Sequence, residues 1–110
     1  MFTPLTTIDT IHEQIKMHAM TFIYITQPDC SVCHGLQPQL EQLLRLFPKI
    51  HTFQIDATEI PSIASDFQVF TAPTLLFFVD GKEYIREARF VQTDKLHDKI
   101  ERIYQEMVEH

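Results

Sequence analysis

Two short runs of almost unbroken apolar residues limit the architectures open to this chain: Phe22-Ile-Tyr-Ile25 and Thr74-Leu-Leu-Phe-Phe-Val79. Runs this short, without polar alternation, read as strands buried on both faces. The longest wholly apolar stretch, Leu75 to Val79, has five residues, against the ~20 that a membrane-spanning helix needs. Around these strands, apolar residues recur at helical spacing. Ile8, Ile11 and Ile15 mark one helix, with Thr10-x-x-Glu13 as its expected capping box. Val32, Leu36, Leu40, Leu43, Leu44 and Phe47 mark a second, which Pro38 should kink and Pro48 should end. Pro61 suits the first turn of a short helix from Glu59 to Phe67. Thr93 is expected to cap a last helix whose face is Leu96, Ile100, Ile103, Tyr104 and Met107. Thr52 to Asp56 reads as a further strand, and Asp80-Gly81 as a hairpin turn into a strand from Lys82 to Phe90.

The order helix, strand, helix, strand, helix, strand, strand, helix defines an α/β chain: a mixed central sheet with helices on both faces. The first three strands, joined by helical connections, are expected to be parallel, with the last as an antiparallel edge. Residues 1–110 are long enough for one domain and for burying about 65 % of the unfolded surface without staples. A net charge of −6 argues against a nucleic-acid or anionic-membrane surface as partner. Met1 to Thr7 shows neither a basic leader nor a long apolar core of a signal peptide, so the expected location is cytoplasmic and the expected state a monomer.

The chemistry-bearing feature is Cys30-Ser31-Val32-Cys33, which holds the only two cysteines. It follows the first apolar run and opens the second helical pattern. Residues three apart in a first helical turn share a face, with Cβ atoms roughly 5–6 Å apart. A disulfide needs about 3.5–4.5 Å, so a small shift makes or breaks the bond. The N–H groups of the helix start favour a Cys30 thiolate by about 0.3–1 kcal/mol, and the thiolate is the attacking species in exchange. Three other readings use the same residues. A structural disulfide closing so short a loop gains little. A metal site, completed by His34 and His51 or shared between two chains through Cys30 and Cys33, has only two of the usual four zinc ligands in this motif. Cys30-x-x-Cys33-His34 also matches the haem-attachment pattern, with Met17, Met20 or Met107 as second axial ligand. In a reducing cytosol a cysteine pair is more often catalytic or metal-binding than structural.

Taken together, Phe22 to Ile25, the Cys30–Cys33 pair, Pro38 five residues later, Ile55-Asp56, Thr71-Ala72-Pro73-Thr74 and Asp80-Gly81 make the chain similar to the thioredoxin family. The resemblance runs from about Ile8 to Glu106. It implies a thioredoxin fold and dithiol–disulfide oxidoreductase activity without a bound cofactor. The partners it implies are protein disulfides and a reducing system. It also implies that Cys30 attacks, that Cys33 resolves, that the Ala72–Pro73 bond is cis, and that the backbone of Ala72 pairs with an extended substrate segment.

Several positions depart from the family pattern. Asp29 stands where thioredoxins carry a tryptophan. Its carboxylate about 6 Å from a thiolate costs roughly 0.7–2.8 kcal/mol, opposing the helix end, unless it caps the helix instead. Tyr24 replaces the buried aspartate that serves the resolving thiol, and Thr52 stands at the place of that aspartate's lysine partner. A phenol near pKa 10 is a poor base at neutral pH, which leaves water or His34 to move the proton. Arg89 stands in place of a glycine of the substrate groove, and its bulk and charge should narrow the partner range. These departures keep a second class of function in view, a thioredoxin-fold binding or regulatory module with weak redox chemistry.

Overall fold

The structure is a computed structural model that describes residues 1–109. Five strands form one sheet in the order β1-β3-β2-β4-β5: β1 (Thr3–Pro4), β2 (Met20–Thr26), β3 (His51–Asp56), β4 (Thr74–Val79) and β5 (Lys82–Ala88). The helices are α1 (Ile8–Met17), α2 (Ser31–Leu44), α3 (Ile63–Phe67) and α4 (Thr93–Glu109).

Strand alternation sorts the core into two layers. Phe22 and Tyr24 of β2, with Leu75, Phe77 and Val79 of β4, pack against Cys33, Leu36, Leu40 and Leu44 of α2 and Leu96, Ile100 and Tyr104 of α4. Ile23 and Ile25, with Leu76 and Phe78, face the other way, onto Ile11 and Ile15 of α1 and Ile63 and Phe67 of α3. Covered on both faces, every residue of β2 and β4 is buried, which is why neither run alternates with polar residues.

One topological expectation is overturned. β1 and β2 run parallel to β3, but β4 runs antiparallel to β2, with Ile25 opposite Thr74 and Met20 opposite Val79. A parallel crossover must return along the sheet, ~20 Å for six residues. The five residues of α3 span only about 7.5 Å. The chain therefore enters β4 at the end of the sheet where β3 left it. β5 then pairs antiparallel with β4 through Asp80-Gly81, both at positive φ (51° and 82°), with a register shift at Phe77/Phe78.

Element boundaries differ where a local hydrogen bond outcompetes the pattern. Thr7, not Thr10, caps α1; its Oγ1 accepts from the backbone N–H of Thr10. The expected helix from Glu59 begins only at Ile63, because the Asp56 carboxylate accepts from the N–H and hydroxyl of Thr58 and holds a turn there (2.8 and 2.6 Å). α2 continues through Pro38. Gln92, rather than Thr93, gives the carbonyl that opens α4 (3.0 Å to Leu96 N). β5 stops at Ala88, because Arg89 turns into the left-handed region at φ 67°. β1, two residues long and half proline, carries no readable pattern; its proline is tolerated at a sheet edge.

Candidate active site

The site is built where β2 and β3 end and β4 begins. β2 delivers the chain at Thr26, and the loop Gln27-Pro28-Asp29 leads to Cys30, the N-cap of α2. Cys30 donates its N–H to the Gln27 carbonyl (3.3 Å), and the Cys30 carbonyl accepts from His34 N (3.2 Å). Cys30 Sγ accepts from the backbone N–H of Cys33 (3.1 Å), so the sulfur itself takes the capping role. Asp29 does not cap: it is exposed beside the loop, and the expectation that its carboxylate would serve α2 is replaced by the Cys30 cap.

The two sulfurs are joined as a disulfide, with Cα atoms 5.2 Å apart. Their exposure is unequal. Cys33 is buried against the α2–α4 core, whereas Cys30 is partly open to solvent. The Ala72–Pro73 peptide is cis. Because β4 is antiparallel to β2, Pro73, one residue before the Thr74–Ile25 register pair, stands alongside the dithiol. An open groove of about 390 Å³ joins them, lined by Asp29, Cys30, Ser31, Val32, Ala72, Pro73, Arg89 and Phe90. Arg89 donates its backbone N–H to the Pro73 carbonyl (2.9 Å), which ties the end of β5 to the proline loop.

Tyr24 lies beneath the pair, fully buried, and its hydroxyl donates to the carbonyl of Cys33. Burial pushes its pKa up to about 12, so at neutral pH it stays a neutral phenol and offers no phenolate to take a proton. His34 turns away from the dithiol groove. Its Nε2 donates to the Pro28 carbonyl (3.2 Å), and its ring lines a separate hollow of about 490 Å³ with Phe2, Thr26, Asp56 and Glu59. Thr52, on β3, gives its hydroxyl to the Met1 carbonyl (3.4 Å).

The residues named for metal or haem are scattered. His51 begins β3 and Met20 begins β2, at the opposite end of the sheet from Cys30, ~20 Å away by strand length. Met17 ends α1, and Met107 lies in the last turns of α4. Among the described residues no group of three or more His, Cys, Asp or Glu is placed to hold a metal ion, and no helix is long and apolar enough to cross a membrane. Val32, expected on the core face of α2, and Phe90, expected to end the last strand, are instead 51 % and 88 % exposed at the groove rim. Their helical or strand-end context gives no sign that tertiary packing leaves them bare.

A disulfide at the tip of a helix, facing a cis-proline loop at the carboxyl ends of two parallel strands, defines a thioredoxin-fold dithiol site. The comparisons agree. The family model described as Thioredoxin matches residues 3–102. The chain is 45 % identical over 102 residues to the thioredoxin-like protein YdfQ of Bacillus subtilis, covering 93 % of this chain and 91 % of that protein. Among solved structures, thioredoxin from Trypanosoma brucei brucei superposes with a TM-score of 0.86 at 18 % identity, covering 96 % of this chain and 92 % of that one. Oxidised mitochondrial thioredoxin 3 from Saccharomyces cerevisiae gives 0.80 at 24 % identity, covering 91 % and 93 %. The chain belongs to the thioredoxin family.

Proposed function

We propose that this chain is a cytoplasmic thiol–disulfide oxidoreductase that reduces protein disulfides, works as a monomer, and is returned to its dithiol form by a reductase or a low-molecular-weight thiol. The observation that carries the reading is the unequal exposure of the Cys30–Cys33 disulfide beside cis-Pro73. One sulfur can meet a substrate and the other can meet only its neighbour.

In the reduced protein the Cys30 thiolate attacks a substrate disulfide. A Cys30–substrate bond forms, the substrate S–S bond breaks, and one substrate sulfur leaves as a thiolate that takes a proton from water. Cys33 then loses its proton and attacks Cys30 Sγ. The second substrate sulfur leaves and is protonated, and the protein is left with its disulfide. Two electrons and two protons have passed to the substrate. During attack, the backbone of Ala72 pairs with an extended substrate segment. We assign the Cys33 proton to water or to the departing substrate thiolate. Tyr24 already holds its proton at neutral pH, and His34 is occupied with Pro28.

Cys33→Ser should accumulate mixed disulfides through Cys30 in cell extract, released by a reductant and visible on non-reducing gels. Cys30→Ser should accumulate none and lose disulfide-reduction turnover. The binding-module reading draws its support from Tyr24, which leaves no internal base under the pair. It takes over if wild type is no faster than Cys30→Ser on several disulfides.

A further inference from the structure

We propose that Arg89 makes the groove selective for charge: its guanidinium receives a carboxylate carried by the substrate protein within a residue or two of the target disulfide, while Val32 and Phe90 take the apolar side of that segment. The inference rests on the disulfide-exchange reading above and names its substrate class.

Arg89 holds φ 67°, a backbone conformation that L residues other than asparagine and aspartate rarely adopt and that glycine takes freely. The same residue donates its N–H to the Pro73 carbonyl, so the bend lies against the proline loop. The backbone therefore gives no reason for an arginine, and the side chain must supply one. Internal pairing does not. Among the described residues the Arg89 guanidinium makes no hydrogen bond or ion pair. Arg86, three residues earlier, is held by the Glu83 carboxylate and by the carbonyls of Phe67 and Gln68.

The surroundings point to a ligand of definite sign. In a chain with 15 acidic residues against nine Lys and Arg, the dithiol groove has, among the described residues, one cation, Arg89, on the rim that carries Phe90. Asp29 is its one anion, beside Cys30. The two are not ion-paired. A substrate segment laid across the proline loop meets positive charge and exposed apolar surface on the β5 side. A carboxylate there gains a charge-assisted, fork-shaped contact, and a lysine there is repelled.

The test uses reduced wild-type protein and three matched, self-quenched peptide disulfides that differ only in one residue flanking a cysteine: Glu, Gln or Lys. The second-order reduction rate is read from dequenching. At low ionic strength wild type should reduce the Glu peptide about ten-fold faster than the Lys peptide, and 0.5 M salt should flatten the ratio. Arg89→Gln should bring the Glu/Lys ratio close to one, Arg89→Glu should invert it, and Arg89→Lys should restore most of it. Because the ratio is taken within each variant, a general loss of activity cancels. Equal Glu and Lys rates in wild type, or a Glu preference that survives Arg89→Glu, overturns the inference and leaves the exchange reading standing. A wild-type protein that reduces none of the three peptides overturns both. If Arg89→Glu changes self-association on size exclusion while the peptide ratio stays fixed, the rim is an interface between copies and the inference also falls.

Discussion

Tyr24 shows how one residue in a strand can brace a reactive helix tip. Its ring packs near Phe2 (5.5 Å between centroids), and its hydroxyl ends at the Cys33 carbonyl. The phenol therefore fixes the first turn of α2 without ionising. Tyr24→Phe should cost about 0.5–1.5 kcal/mol at neutral pH, the net worth of one buried hydrogen bond, and should leave the pH–rate profile between pH 5 and 9 unchanged. At alkaline pH the sign is set by the raised pKa. The neutral phenol is favoured in the folded state, so the stabilisation is whole below pH 10 and lost as pH rises from 10 through about 12. The loss over that window is about 2–3 kcal/mol. Urea unfolding across pH 9–12 measures it, and Tyr24→Phe should remove this part of the slope. Tyr24 was legible in sequence as the odd residue under the dithiol. That its partner is a carbonyl was not, because the contact joins residues nine apart on two elements whose distance only packing sets.

At the scale of elements, the C-cap of α1 meets the start of β3 through two histidines that no sequence motif links. The His18 and His51 rings stack at 3.6 Å with a 13° interplanar angle, and His18 Nε2 donates to Gln14 Oε1 (2.8 Å). Burial, and then the neighbouring His51 charge, hold the His18 pKa below its usual 6.5. The folded state thus prefers neutral His18. Its contribution to stability is complete above pH 6.5 and is lost as pH falls below that value through the folded pKa. An NMR titration of the imidazole C2 protons should give His18 a midpoint under 6.5. His51→Gln should raise that midpoint part of the way back, because burial is the larger cause and remains. A midpoint that does not move in His51→Gln would show that the rings do not sense each other. The same scale explains the altered strand direction. Whether residues 57–73 cross the sheet depends on how much of the segment is helix, and the Asp56–Thr58 turn removes the first half of it.

For the molecule as a whole, the proposed cycle requires a fold that survives loss of its disulfide. The bridged segment is four residues long, for which loop-closure entropy supplies about 2 kcal/mol, against about 5–15 kcal/mol for an ordinary domain. The core gives the rest: among the described residues, thirty buried hydrophobic ones lie in layers on both faces of the sheet. Reduction should therefore lower the urea midpoint modestly while the far-ultraviolet circular dichroism in water stays the same. Unfolding on reduction would make the disulfide a structural staple and remove it from exchange chemistry.

The sequence by itself determined the two doubly buried strands, the hairpin at Asp80-Gly81 and the dithiol at a helix start. Each of these is written in periodicity or in a local residue preference. Tertiary structure decided what depends on distance between elements. It turned β4 antiparallel, and that reversal is what brings Pro73 to the same end of the sheet as Cys30; a parallel β4 would begin ~20 Å away. It turned His34 toward Pro28 and left Phe90 and Arg89 bare on the groove rim. The reason is physical: hydrophobic burial and turn preference act along the chain at short range, whereas a site assembled from three loops is fixed only once the sheet has chosen its strand directions.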